Sequence, residues 1–229
     1  AKGALSLIET THHQRLAEIE GLGDLSHASI VYTPDERYGF VFGRDGALTK
    51  VDLLEAKIIK RIDQAHNSVG GAISQDGRII ATSNYEPGGV RFFSAETLET
   101  LSEISSVGPD GKSSKVVGLV DAPGQKFVFS LFEAGEIWVA DLHDPKSPKL
   151  EKFKAGNEPY DALISPEGRY YIAGLFAEEG LALLDLWNLK AGVKKIVLEF
   201  AKDDPKLPVF KMPHLEGRAL IGDYWFLPA

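Results

Sequence analysis

The amino-acid sequence predicts an all-β fold, a β-propeller, and three observations carry that prediction. A block of about 45 residues recurs four times. Each copy contains several apolar runs too short to be helices, and Gly- or Pro-containing turns separate them. A period of roughly 40 to 50 residues with short strands in each unit is the signature of propeller blades. Blades stack because no single one can bury both of its faces.

The chain opens on Gly3 to Glu20, which reads as the last two strands of a blade. A strand from Ala4 to Glu9 follows Ala1 almost at once, a start that suggests processing. Each full copy then contains a polar turn ending in Arg or Lys: Thr33 to Arg37, Ser74 to Arg78, Ala122 to Lys126 and Ser165 to Arg169. The basic residues lie 41, 48 and 43 positions apart. Next come the runs 38–42, 79–82, 127–130 and 170–173, rich in the β-branched and aromatic residues that suit strands. Gly-containing turns follow, at 43–46, 86–89, 133–135 and 178–180, where Gly supplies positive φ and Pro presets the bend. The last predicted runs close on Asp52, Ser94, Asp141 and Asp185, which follow the basic residues by 15, 16, 15 and 16 positions. No amphipathic helix of three or more turns is predicted. His214 to Ala229 reads as the first half of a further blade. Either the two half-blades combine into a five-bladed ring, or the chain is a portion of a longer propeller.

Composition bounds the function. With 229 residues and 44% hydrophobic content the chain can bury a real core. No apolar run reaches the roughly 18 residues of a membrane-spanning helix. A formal charge of −8 argues against nucleic acid as a partner. The absence of Cys removes thiolate metal sites, disulfides and thioether-linked haem. There is no phosphate-cradling glycine loop, nucleophile elbow or zinc-type spacing.

Several segments carry a more specific signal. Gly21-Leu22-Gly23-Asp24-Leu25-Ser26-His27-Ala28-Ser29, Phe42-Gly43-Arg44-Asp45-Gly46 and Ser83-Asn84-Tyr85-Glu86-Pro87-Gly88-Gly89 resemble the NirF family of heme d1 biosynthesis proteins. Val117-Gly118-Leu119-Val120-Asp121-Ala122-Pro123-Gly124 and Lys211-Met212-Pro213-His214-Leu215-Glu216-Gly217 do so as well. More distantly the chain resembles the d1 propeller of cytochrome cd1 nitrite reductase. The resemblance implies an eight-bladed propeller of roughly 360 residues, of which this chain is an N-terminal portion. It also implies a tetrapyrrole ligand, heme d1 or its dihydro precursor, a periplasmic setting in denitrification, and contact with other heme d1 maturation proteins and nitrite reductase.

The candidate site residues are read against that expectation. His27 stands just before the first strand of a blade, where an imidazole can ligate tetrapyrrole iron. The resemblance makes it the iron ligand; the alternative is a histidine bonded to a neighbouring backbone group. Asp121 stands between an apolar run and the turn Ala122-Pro123-Gly124. The nitrite reductase relatives place a proton-donating His near this point. The carboxylate here argues for a different proton transfer, with a pKa raised by a partly apolar pocket. Its alternative is an Asx-type turn cap. Arg44 and Lys115 are candidates for the ring's carboxylates, Arg as a bidentate fork and Lys as a point charge. Alternatively, Arg44 is a turn residue beside Asp45 and Lys115 an ordinary exposed lysine. Asn84 and Tyr85 occupy a turn where the resemblance places a Tyr near the ring. Tyr160 starts its blade where His27 starts its own. His214 could reach the opposite side of the ring plane, or be a surface residue. His27, Asp121 and Tyr160 are all expected at blade entrances. His12, His13, His66, His143 and the pair Glu178-Glu179 are expected to be solvated.

Three functions follow. The first is a tetrapyrrole-modifying, dehydrogenase-type oxidoreductase that takes part in the final modification of a late heme d1 precursor. The second is a heme d1 carrier without chemistry. The third is a cofactor-free interaction scaffold, a common use of propellers. Enzyme and carrier are not separable in the sequence.

Overall fold

In the computed structural model, residues 3–198, 219–222 and 224–226 are described. The predicted runs are strands, in four antiparallel four-stranded sheets and two hairpins. Blade 1 holds β3 (Ser29–Tyr32), β4 (Tyr38–Phe42), β5 (Ala47–Asp52) and β6 (Lys57–Asp63). Blade 2 holds β7 (Asn67–Ile73), β8 (Ile79–Glu86), β9 (Val90–Ser94) and β10 (Thr100–Ile104). Blade 3 holds β11 (Val116–Ala122), β12 (Lys126–Leu131), β13 (Glu136–Asp141) and β14 (Lys149–Lys154). Blade 4 holds β15 (Pro159–Ile164), β16 (Tyr170–Leu175), β17 (Leu181–Asp185) and β18 (Val193–Ile196). Each blade pairs its strands in sequence order. The hairpins are β1 (Ala4–Glu9) with β2 (Gln14–Glu20), and β19 (Ala219–Ile221) with β20 (Tyr224–Phe226). The helical structure among the described residues is a single 3-10 turn, Leu189–Ala191. No helix among the described residues is long and apolar enough to cross a membrane.

Two compact units divide the chain, residues 1–105 and 106–229. In the first, Phe40 and Phe42 of β4 point into the seam with blade 2, against Ile80 and Phe93. Val41 points the other way, onto Ile19, Leu22 and Val51. That alternation, apolar on both sides, is what a strand covered by neighbours on both faces requires. Each such Phe contributes about 1.5–3 kcal/mol by leaving water. In the second unit, Val128, Ile137 and Val139 of blade 3 pack on Tyr171, Ala173, Ala182 and Leu184 of blade 4.

The spacing of 15 or 16 positions has a direct cause. In blade 1, Arg37 Nε and Nη2 donate to Asp52 Oδ2 at 3.2 and 3.1 Å. In blade 4, Arg169 Nη2 donates to Asp185 Oδ2 at 2.7 Å. The pair ties the β-turn between the first two strands to the end of the third. Blade 2 has Ser94 at the closing position, and Arg78 pairs with its neighbour Asp76 at 2.8 Å instead. In blade 3, Lys126 stands directly across from Asp141, which accepts the His143 peptide N–H at 2.9 Å.

The first strands depart from simple alternation. β11 has a bulge between Val117 and Val120, and β15 has one between Pro159 and Ala162. β7 is irregular between Asn67 and Gly70, whereas β3 pairs without interruption. Such insertions bend a strand and re-aim its side chains.

Candidate functional site

In the first unit, two acidic residues knit the loop before β3 to the β4–β5 turn. Asp45 Oδ2 accepts from Arg61 Nη2 at 2.7 Å and from the Asp24 peptide N–H at 3.2 Å. The Asp24 carbonyl accepts the Arg44 N–H at 2.8 Å. Asp24's own carboxylate takes the Ser26 N–H at 2.9 Å, and that bond holds its pKa below the usual carboxylate range. The loop bearing His27 is therefore fixed at both ends. His27 itself is exposed, with no hydrogen bond or ion pair among the described residues. The backbone-bonded alternative is not what the structure contains.

Arg44 is not the partner of Asp45, whose charge is answered by Arg61. Its guanidinium instead lies 5.3 Å from the centre of the Tyr85 ring, a cation–π distance. Among the described residues no carboxylate is within ion-pair reach of Arg44. Asn84 is 0% exposed, and its amide exchanges hydrogen bonds with Gln64 at 3.0 and 3.2 Å. A side chain so enclosed anchors the strand beneath Tyr85 and does not itself meet a ligand. The starts of β3 and β7 also hold two orphans. Ser29 Oγ and Asn67 Oδ1 are buried without a hydrogen-bond partner among the described residues. Such groups are costly unless something outside the chain satisfies them.

In the second unit, Lys115 Nζ donates to Glu133 Oε1 at 2.6 Å and lies 5.3 Å from the Phe132 ring. Burial opposes ionisation of Glu133, but the hydrogen bonds from Lys115 and Ser114 win and hold its pKa low. Lys115 thus reaches the site with its charge already answered. Tyr160 meets Phe132 and Phe176 edge-to-face at 5.6 and 6.0 Å, and those two rings are 5.9 Å apart. Phe132 and Phe176 are not among the residues that the sequence singles out. A signal for them exists: each directly follows the second strand of its blade, and Tyr85 is the next-to-last residue of the second strand of its own. An aromatic residue thus recurs at that point in blades 2, 3 and 4. All three are half-buried.

Asp121 requires a correction. It is not in a turn, nor at a blade entrance with His27 and Tyr160. It is the next-to-last residue of β11, opposite Phe127, at the other end of the strand from Lys115. Six steps along the chain separate the two, at most roughly 20 Å at about 3.3 Å per residue. Burial among apolar neighbours raises its pKa above the usual carboxylate value, opposed only by a hydrogen bond with its own backbone. Glu178 also differs from expectation, since it accepts from the Asn157 N–H and from Lys195 Nζ at 2.6 Å each. His12 bonds Glu9 and His143 bonds Asp141. The described residues contain no cluster of three metal-ligating side chains. His214 lies outside the described residues.

Within the first unit the entrances offer an unpartnered imidazole, an unpaired guanidinium, two orphaned polar atoms and the half-buried Tyr85 ring. Within the second they offer the half-buried rings of Phe132, Tyr160 and Phe176. A cleft of about 450 Å³ in the second unit is lined by Glu133, Glu136 and Glu158 together with Lys154.

Comparison with known proteins accords with this. The Cytochrome D1 heme domain family matches residues 1–227. Protein NirF of Pseudomonas aeruginosa is 56% identical over 232 residues, covering 100% of this chain, and Protein NirF of Stutzerimonas stutzeri is 51% identical over the same span. The chain spans 59% of the length of each. The dihydro-heme d1 dehydrogenase of Pseudomonas aeruginosa is 26% identical over 87% of this chain and 37% of its own. A solved structure of dihydro-heme d1 dehydrogenase NirN in complex with DHE superposes with a TM-score of 0.78 at 24% identity. The match covers 94% of this chain and 44% of that one, a likeness of fold.

Proposed function

The chain belongs to the cytochrome D1 heme domain family, and from that premise we propose that it binds a late heme d1 precursor, dihydro-heme d1, during heme d1 biosynthesis in the periplasm, with His27 as the iron's protein ligand. The observation that carries this reading is the His27 side chain, exposed and unpartnered on a loop pinned at both ends. Neutral imidazole is a haem ligand, and a pinned loop lowers the ordering cost of binding.

The other residues take parts that their surroundings support. Arg44 can offer a bidentate fork to a peripheral carboxylate. Lys115 can meet such a carboxylate, as a point charge, only by sharing itself with Glu133. In the first unit Tyr85, and in the second Tyr160 with Phe132 and Phe176, are rings of the kind that pack on a macrocycle. Asn84 supports Tyr85 from below, and His214 remains a candidate for the opposite side of the ring. When bound, the iron supplies a coordination position for the imidazole. Asp121, whose pKa burial raises, is assigned the handling of a proton from the first strand of blade 3.

The distance of Asp121 from Lys115 along β11 favours a second reading, in which the same entrances carry the precursor to another maturation protein without altering it. The test is a titration of the full-length protein with heme d1, followed by absorption spectroscopy. Wild type is expected to shift the ligand's bands, and His27→Ala to bind with a different spectrum. Identical bound spectra would remove His27 from the iron. Conversion of dihydro-heme d1, with an electron acceptor supplied, is then compared between wild type and Asp121→Asn. Slower conversion with unchanged binding supports the proton role; no conversion by either protein supports the carrier.

A further inference from the structure

The bulge in β11 decides which way Asp121 points. Val117 is paired with Ser130, and Ser130 Oγ meets the Tyr171 hydroxyl of blade 4 at 2.8 Å, so both face the seam between blades 3 and 4. Were β11 regular, alternation would place residue 121 on that same side. Instead, Gly118 and Leu119 together oppose the single residue Phe129, and pairing resumes at Val120 with Val128. Val120 and Ala122 now fill the seam. Asp121 falls on the other face, beside the wholly buried Phe127. One inserted residue has turned a carboxylate out of an apolar seam.

The bulge is held at Gly118. Its φ is 58°, a left-handed conformation that glycine adopts without penalty. A Cβ there would stand 2.7 Å from both the Ala162 Cβ and the Tyr160 carbonyl oxygen, and 2.9 Å from the Tyr171 hydroxyl. The Gly118 carbonyl accepts a hydrogen bond from the Tyr171 hydroxyl at 2.8 Å. With that proton spent, Ser130 is the donor in its own bond to Tyr171. Tyr171 is 0% exposed, and its burial pushes the phenol pKa well up, so the hydroxyl stays a donor.

We propose that Tyr171 is a positioning residue for Asp121: by donating to the Gly118 carbonyl it pins the bulge that aims the carboxylate away from the seam. The inference rests on Asp121 having the proton-handling part assigned above. Its reach extends to Tyr160 and Asp161, the bulged pair of β15, because the Tyr160 carbonyl abuts Gly118. The two bulges are therefore packed against each other, and one hydroxyl serves the geometry of both first strands.

The test reads Asp121 without any ligand. In the full-length protein, the infrared carboxyl titration lost in Asp121→Asn is assigned to Asp121. Tyr171→Phe keeps the ring and removes the hydroxyl. It is expected to weaken proton binding at Asp121 about tenfold or more, as the loosened bulge admits water. Ser130→Ala removes the other hydrogen bond of the same hydroxyl and is expected to leave the titration unchanged. Gly118→Ala crowds the contact from the opposite side and is expected to act as Tyr171→Phe does. An unmoved titration in both Tyr171→Phe and Gly118→Ala would overturn the proposal, as would an equal shift in Ser130→Ala. Retained precursor conversion by Asp121→Asn would instead withdraw the proton role from Asp121, while the titration alone still decides whether Tyr171 holds the bulge.

Discussion

Asp52 and Asp185 end the third strands of their blades, and Asp121 stands at the end of a first strand, yet their chemistry is opposite. Asp52 accepts the Leu54 and Glu55 N–H groups at 3.0 and 2.9 Å, along with the Arg37 guanidinium. Asp185 accepts the Trp187 N–H at 3.0 Å together with Arg169. The hydrogen bond from the Glu55 N–H leads in holding Asp52 low, and that from Arg169 leads for Asp185. Asp121 has no such partners, and burial holds it high. Where the repeat supplies a carboxylate, the fold satisfies it completely and uses it as a fastener. Where the repeat is broken by a bulge, the carboxylate is left able to hold a proton. The same division separates Arg37 and Arg169, which are consumed by the fold, from Arg44, which is not.

The sharpest way to break this comparison is to remove a fastener. Asp52→Ala leaves two turn N–H groups and Arg37 without their acceptor, and we expect the largest loss of unfolding midpoint of the substitutions considered. The folded-state pKa lies below the unfolded one, so the stabilisation is present above the ordinary carboxylate value and lost as pH falls through the folded value. Thermal melts of wild type and Asp52→Ala should therefore differ most at neutral pH and converge in acid. A gap that persists in acid would mean that Asp52 acts by packing rather than by charge.

Much of the blade scaffold was legible in the sequence. The predicted run 38–42 coincides with β4, and the runs closing on Asp52, Ser94, Asp141 and Asp185 end where β5, β9, β13 and β17 end, because turn chemistry and the repeat punctuate them on both sides. The bulge in β11 was not legible. Val116 to Val120 is apolar or Gly at every position, so one inserted residue leaves no mark on the pattern. The position of Asp121 was obscured for the same reason, since a turn starting at Ala122 in the sequence conceals that β11 runs to its end there. Arg61 as the partner of Asp45 is a contact across 16 positions between strands, invisible to local spacing. His27 and Arg44 were found through motif resemblance, and neither charge nor periodicity would have singled them out.

Asp121→Asn probes the other side of the comparison and should carry the opposite sign. The folded-state pKa is above the unfolded one, so the folded chain binds more protons between the two values and stability falls as pH rises across that window. Neutralising the side chain removes this penalty. Asp121→Asn is expected to be as stable as wild type in acid and more stable at neutral pH, by less than Asp52→Ala loses. The check is the pair of denaturation curves at the two pH values. A variant less stable at neutral pH would show that the ionised carboxylate is favourably bound, and the contrast with Asp52 would collapse.

The smallest effect is expected where the repeat keeps its basic residue but loses its acid. Arg78 occupies the position of Arg37 and Arg169, but Ser94 stands where they find a carboxylate. Its side chain is 80% exposed and pairs with its neighbour Asp76, two residues away. An exposed local pair contributes little, because side-chain entropy and screening offset the attraction. Arg78→Ala should therefore change stability by no more than about 0.5 kcal/mol in urea denaturation, whereas Arg169→Ala strips Asp185 of its leading partner and should lower the midpoint visibly. Equal losses would show that the acids fifteen or sixteen residues on are not what makes these arginines matter.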